Sequence, residues 1–319
     1  MTVRYTNLPD NKDKIFGGAY SVHDWETYAH RDQKIIEYAL KGVFKESIDQ
    51  DQIREDFLTT YKKWMFSTHP NIKGVEKFSA ACFTQGTTES FAQFYIRYKT
   101  HKRLRLKKGE YFYHQMMQRM WYNHADGHYL GSFCWLDEDE IRPADLLLIS
   151  VPFSDTGAVP SDLEDILNSC DKHKVPVMLD LAYINLTVDQ EINLEHPCIE
   201  YVVSSLSKVF PVENHRIGIR LQREMFEDQI YVINEKGYNY INLLSAFLGT
   251  SLMQKFAADY IYHKYKEPQA ILCEHHDLEP SPCVYFGIDT QNKFPEYNRG
   301  NDTNRLCFSR IWDGRSDEL

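Results

Sequence analysis

The sequence predicts an α/β fold, and three observations carry that expectation. From Phe78 onward, short apolar runs alternate with helical stretches, the pattern of a sheet covered by helices. Segments such as DLLLISVPF and VPVMLDLAY are continuously apolar, as strands buried on both faces are. The residues with chemical capability stand at the ends of these runs, where α/β sheets place their ligands.

Taken in order, HRDQKIIEYALKGVF puts Ile35, Ile36, Ala39, Leu40 and Val43 on one helical face, so the chain before about Asn71 reads as a helical lead-in. FSAACFT reads as a strand, TESFAQFYIRY as a helix and EYFYHQ as a strand. The basic run from Lys99 to Lys108 reads as the solvated end of a helix. DLLLISVPF is a buried strand, and SDLEDILNSCDKH is a helix that Ser161 and Glu164 open as a capping box. VPVMLDLAY, IEYVVSS and HRIGIRL supply three further strands. A long helical region runs from about Ile241 to Tyr265, and CVYFGIDT and NRLCFSR close the chain as strands of a small second domain. The expected organisation is a lead-in over 1–70, a large domain over 71–240, and a long helix with a reduced α+β domain over 241–319.

Composition narrows the function. A net charge of −10 with mixed signs offers no broad basic field, so nucleic acid is not an expected partner. No stretch approaches the roughly 20 apolar residues of a membrane span, and the polar start MTVRYTNLPDNKDK lacks the apolar core of a signal peptide. The expected location is the cytoplasm, with no membrane partner. The seven cysteines are scattered singly and read as reduced, buried thiols. HADGH (His124, His128) and CEHH (Cys273, His275, His276) do not complete a four-ligand set, so no metal is expected.

Five segments carry chemistry. VVSSLSKVFPVENHRIG runs a strand into Ser205, Ser207 and Lys208, with Arg216 eight residues further on and then Gly218. An amine there could meet an aldehyde while hydroxyls and a guanidinium hold a phosphate. VPVMLDLAY ends in Asp180, with Tyr183 three residues later. CFTQGTTES places Gly86, Thr87 and Thr88 where a strand turns into a helix, and helix N-termini bind anions. LLLISVPFSDTGAVP carries Ser154 and Asp155 after a strand. NRGNDTNRLCFSR carries Arg305, with Arg310 as a weaker competitor.

In their order and spacing, from Phe78 to Arg310, these segments resemble the class I/II aminotransferases, enzymes of fold type I that use pyridoxal 5'-phosphate. The resemblance implies a mostly parallel, seven-stranded central sheet with helices on both faces and a reduced α+β small domain. It implies a Schiff base on Lys208, with Asp180 at the pyridine nitrogen and Tyr183 at the phenolic oxygen. At about 4 Å and a dielectric near 20, such a carboxylate stabilises a pyridinium by roughly 4 kcal/mol. Gly86, Thr87, Thr88, Ser205, Ser207 and Arg216 correspond to the phosphate cradle, and Arg305 to the clamp on the substrate carboxylate. Tyr113, His114 and Trp121 lie where the family stacks an aromatic on the ring, and Tyr113 is taken for that role.

Two departures are expected to matter. Ser154 and Asp155 replace the family's Asn-Pro, which alters the contact at the phenolic oxygen. The small domain is cut down, which implies an open site that accepts a bulky or tethered amino acid. The implied reaction is transamination between an amino acid and a keto acid. Lyase, decarboxylase, racemase or cyclase chemistry on the same fold is the alternative, and a non-catalytic binding protein is the reading from another class. The resemblance also implies a homodimer in which a partner tyrosine reaches the phosphate, with Tyr61 as the candidate.

Overall fold

The computed structural model describes residues 32, 34, 35, 49–98, 103–115, 133–235, 238–309 and 311. Most of the lead-in face, from Ile36 to Val43, lies outside them, as do Trp121, His124, His128 and Arg310.

A seven-stranded sheet organises the described chain. Its strands are β1 (Ala80–Thr84), β2 (Arg103–Leu106), β3 (Cys134–Trp135), β4 (Asp145–Ser150), β5 (Val177–Asp180), β6 (Ile199–Ser205) and β7 (Gly218–Gln222), in the order β1-β7-β6-β5-β4-β2-β3. The run from β3 to β6 is parallel, whereas β7 is antiparallel to both β6 and β1. The connection from β6 to β7, residues 206–217, holds only two short 3-10 turns and no crossover helix, so the chain turns back on itself. Through this reversal, the ends of β1, β4, β5 and β6 and the start of β7 all meet at one edge. Asp180 pairs in register with Ser150 and Val203, and Gly218 with Ser205 and Thr84.

The central strands are buried on both faces because each face is covered. In β4, Leu147 and Ile149 point into one core and Leu146 and Leu148 into the other. Helix α2 (Thr87–Tyr98) covers the second face with Phe91, Phe94 and Tyr95. The first face takes α1 (Gln50–Phe66), α3 (Leu163–His173), α5 (Leu243–Lys255) and α6 (Tyr260–His276), while the short α4 (Gln229–Asn234) sits on β1. The described part of the lead-in, α1, packs on α5, and Trp64 Nε1 donates to the Phe256 carbonyl at 2.8 Å.

A three-stranded antiparallel sheet of β8 (Glu279–Pro280), β9 (Phe286–Asp289) and β10 (Asn304–Cys307) completes the chain. The Gln269 amide donates to the carbonyls of Ser281, Cys283 and Phe286, which pins this sheet to α6. Ser281 Oγ donates to the Thr156 carbonyl and Val284 N–H to that of Leu186, which pins it to the large sheet.

Four expectations need correction. The basic run is not the end of a helix: its residues 103–106 form β2, and Arg105 is wholly buried. Its guanidinium pairs with Asp145 and donates to the carbonyls of Cys134, Trp135, Asp139 and Glu140, so a charge can lie inside the sheet edge. EYFYHQ is not a strand, because β2 and β3 already take that edge; Phe112 to Gln115 make a helical turn. The Ser161–Glu164 capping box does not form. The helix begins at Leu163 after Asp162, whose carboxylate accepts from Lys107, and Glu164 is engaged by His196. The long helical region is broken at Phe256–Asp259 into α5 and α6. None of the seven cysteines forms a disulfide, and all are buried except Cys134, which is half-buried.

Candidate active site

At the edge where the strand ends meet, a cavity of about 740 Å³ opens to solvent. Its position at the carboxyl ends of the parallel strands suits a small-molecule site.

One end of the cavity is built to hold an anion. Thr87 and Thr88 open α2 there, presenting free N–H groups and the positive end of the helix dipole. Ser205 and Ser207 face them from the end of β6, with their hydroxyls 2.6 Å apart. Arg216 closes this end, its Nη2 donating to Thr88 Oγ1 at 3.0 Å and to the Gln85 carbonyl at 3.2 Å. Arg216 sits at φ 54°, a left-handed conformation that costs a non-glycine residue energy and marks a constrained position. Gly86 has φ 75°, and a Cβ there would lie 2.3 Å from Arg216 Nη2, so only glycine leaves room for the guanidinium.

The floor carries Asp180, Tyr183 and Lys208. Asp180 ends β5 and is 5 % exposed; its Oδ1 accepts from Ala182 N–H at 3.1 Å. Burial, and then the charge of Glu110, pushes its carboxyl up to about 7, against the pull of Lys208 and the Ala182 N–H. A cation placed against this carboxylate would relieve that strain, which is what a protonated ring nitrogen offers. Lys208 closes the 3-10 turn after β6, so the strand end delivers its amine to the cavity wall. An anion-holding end, an amine and a buried carboxyl around one cavity fit a phosphorylated pyridine aldehyde.

The expected residues are thus gathered in large part. Thr87, Thr88, Ser154, Asp180, Tyr183, Ser205, Ser207, Lys208 and Arg216 line the cavity, and Gly86 sits behind Arg216. Tyr113 does not line it; Tyr111 does, with the Tyr113 ring stacked behind at 5.8 Å. His114 is wholly buried, its Nδ1 hydrogen-bonded to Tyr95 at 2.7 Å, and burial pushes it down to about 3. Tyr61 is also wholly buried within its own chain, with its hydroxyl donating to Ser204, so it does not reach a partner's site.

Arg305 stands just behind the wall. Its Nη1 donates to the Ser154 carbonyl, and its guanidinium lies over the Phe286 ring at 4.5 Å. Arg299 donates to the same carbonyl at 2.8 Å, and burial followed by the charge of Arg305 lowers it to about 10. The Ser154 hydroxyl donates to the Gly109 carbonyl at 3.0 Å, so its proton is already directed away from the cavity.

Sequence reasoning missed Tyr111, Ser150, Glu213, Glu110 and Arg299. The signal for Tyr111 was present: it is the first aromatic after β2, at the carboxyl end of a sheet strand. Reading that strand as a helix end shifted attention two residues too far. Asp171, His196 and Cys198 also converge, but both His196 ring nitrogens are engaged by carboxylates, Nδ1 by Asp171 at 2.6 Å and Nε2 by Glu164 at 3.0 Å.

Comparison with known proteins agrees with this geometry. Residues 134–274 match the family described as aminotransferase class I and II. Among solved structures, the chain is similar to the aromatic aminotransferase from Pyrococcus horikoshii OT3, with a TM-score of 0.60, 14% identity, and coverage of 92% of this chain and 93% of that one. It is similar to the PLP-bound C-S lyase from Staphylococcus hominis, with a TM-score of 0.63, 11% identity and coverage of 100% and 95%. It is also similar to the L-threonine-O-3-phosphate decarboxylase from Porphyromonas gingivalis, with a TM-score of 0.59, 12% identity and coverage of 88% and 94%. No curated protein matches the chain in sequence. The matched segment spans 141 of the chain's 319 residues, so the chain carries a segment similar to the class I and II aminotransferase family and shares its fold with these solved structures.

Proposed function

We propose that the chain is an aminotransferase that holds pyridoxal phosphate on Lys208 and acts on an amino acid and a keto acid. The observation that carries this reading is the amine of Lys208 and the buried carboxyl of Asp180 in one cavity, with an anion-holding end beside them. When bound, the cofactor supplies an electron sink for negative charge developing at the substrate's α carbon.

The chain's residues then divide the work. Thr87, Thr88, Ser205, Ser207 and Arg216 hold the phosphate through charge-assisted hydrogen bonds. Asp180 would hold the proton on the ring nitrogen, Tyr183 would serve the phenolic oxygen, and Tyr111 would offer a ring face from the cavity wall. Lys208 would hold the aldehyde, and its amine would move the substrate's α proton as general base and acid. Arg305 would fix the substrate carboxylate, for which a planar guanidinium is suited, by turning from the Ser154 carbonyl into the cavity.

The same residues serve elimination or decarboxylation, and relatives of this fold bear the names of a lyase and a decarboxylase. Which bond breaks depends on the substrate's orientation. The small three-stranded sheet supports an extended or tethered amino acid as substrate, and a kinetic preference for small free amino acids would overturn that part. The reading carries a cytoplasmic homodimer, which sedimentation can check.

The test is direct. Purified protein given pyridoxal phosphate is expected to gain visible absorbance, and Lys208→Ala to lose it. An amino-acid panel then separates the reactions: keto-acid formation supports transamination, while carbon dioxide or eliminated thiol overturns it. Absence of any absorbance in the unsubstituted protein favours the binding-protein reading instead.

A further inference from the structure

Behind the cavity wall lies a carboxyl group that the proposed mechanism does not use. Glu110 is 1 % exposed and follows β2. Its Oε1 accepts from the Ser150 hydroxyl at 2.6 Å and from Tyr111 N–H at 2.8 Å, and its Oε2 accepts from Ser150 N–H at 2.8 Å. Ser150 and Tyr111 both line the cavity, and Ser150 is the register partner of Asp180 across β4 and β5. One buried side chain therefore holds two wall residues and stands next to the acid on the floor.

We propose that Glu110 is a positioning residue that fixes Tyr111 and Ser150 in the wall and, through its charge, sets how fully Asp180 holds a proton before the cofactor arrives. Two buried carboxyl groups linked through one strand residue, Ser150, oppose each other's ionisation, and their protons come off in coupled steps. Burial raises Glu110, while the Ser150 and Tyr111 donors and Arg299 pull it down; its charge in turn pushes Asp180 up. The other groups facing Asp180 are Lys208, which favours its carboxylate, and the phenol of Tyr61 below, which is neutral. Asp180 is therefore held well above the ordinary carboxylate range until a cation meets it. This deepens the proposed function, but the coupling of the two acids stands without it.

The experiment reads Asp180 itself. Full-length protein labelled at aspartate and glutamate carboxyl carbons is titrated by carbon-13 NMR without pyridoxal phosphate, with Asp180→Asn and Glu110→Gln identifying the two signals. Asp180 is expected to titrate near 7 in the unsubstituted chain. In Glu110→Gln, which keeps an acceptor but loses the charge, its midpoint should fall by at least about one pH unit. Glu110→Asp should keep it high. An Asp180 midpoint unmoved in Glu110→Gln, or lowered equally in Glu110→Asp, overturns the proposal. Should Glu110→Gln not fold, reciprocity supplies a second arm: the Glu110 midpoint must fall in Asp180→Asn, and a constant value there overturns the idea equally.

Calorimetry in two buffers near pH 7 adds a count of protons. Pyridoxal phosphate binding to Glu110→Gln should take up more protons per site, or release fewer, than binding to the unsubstituted chain, and an unchanged count would overturn the coupling. If the chain takes no pyridoxal phosphate while the NMR midpoints move as stated, the proposed function fails and the pairing of the acids stands. Spectral binding with unmoved midpoints is the reverse result.

Discussion

Asp180 gives the residue scale its sharpest consequence. Its carboxyl is held near 7 in the folded chain, against an ordinary value of 3.8. At low pH both folded and unfolded chains hold this proton; between the two values only the folded chain does; above them neither does. The fold is therefore progressively penalised as pH rises through that window, and the whole penalty persists above it. About three units correspond to roughly 4 kcal/mol. Asp180→Asn should accordingly raise the melting temperature of the cofactor-free protein at alkaline pH and leave it nearly unchanged at acid pH, as differential scanning calorimetry can check. The same substitution should weaken pyridoxal phosphate binding, so stability and affinity move in opposite directions. Ser154 offers a contrast. Because its hydroxyl already donates to Gly109, Ser154→Ala should change cofactor affinity and absorption maximum little, whereas Tyr183→Phe should shift the absorption maximum. The residues legible in the sequence were those next to a recognisable strand end: Lys208, Asp180, Arg216 and the Thr87–Thr88 turn. Glu110 and Arg299 were not legible, because each acts on groups 40 or more residues away in sequence, a proximity that no local pattern encodes.

At the scale of elements, the β2 edge shows why a charge run was misread. RLRL alternates with period two, which is a strand signal, but the surrounding lysines made it look like solvated surface. Its arginine is tolerated inside because a carboxylate from β4, two carbonyls of β3 and two of the loop after it meet its donors. None of those partners is visible from the run itself. Arg105→Leu should therefore cost about 3 kcal/mol or more, by leaving buried acceptors without donors. Arg103→Leu, at a position 26% exposed and bonded to the same Asp145, should cost less. Urea denaturation of the two variants checks the order, and a smaller loss at Arg105 than at Arg103 would contradict the burial argument. The strands β1, β4, β5, β6, β7, β9 and β10 were legible because their apolar runs are bounded by turn residues, whereas the two-residue β3 and β8 carry no such run. The capping box failed because Glu164 and Asp162 found partners outside the helix, in His196 and Lys107. Tertiary contacts outbid a local motif there.

For the whole molecule, the relevant fact is that one apolar cluster runs from Phe57 in α1 through β4 and β5 to Phe286 and Leu306 in the small sheet. The α/β class could be read from the sequence, whereas the docking of the small sheet could not, since it depends on Gln269 and Ser281 meeting carbonyls from other elements. Continuity of the core predicts that the large and small sheets unfold together, with fluorescence and circular dichroism transitions coinciding. Ligand linkage then gives a quantitative check on the site. A ligand that binds only the folded chain stabilises it by about 2.7 kcal/mol at a hundredfold excess over Kd. At ordinary unfolding entropies per residue, that is a rise of roughly 4 °C for a chain of this length. Pyridoxal phosphate should produce this rise in the unsubstituted protein in a single transition. Lys208→Ala should retain part of it through the phosphate cradle, and Arg216→Ala should lose more of it than Lys208→Ala loses of the noncovalent share. A split transition, with only one step moved by pyridoxal phosphate, would show that the two sheets fold as separate units and that the cavity depends on the large sheet alone.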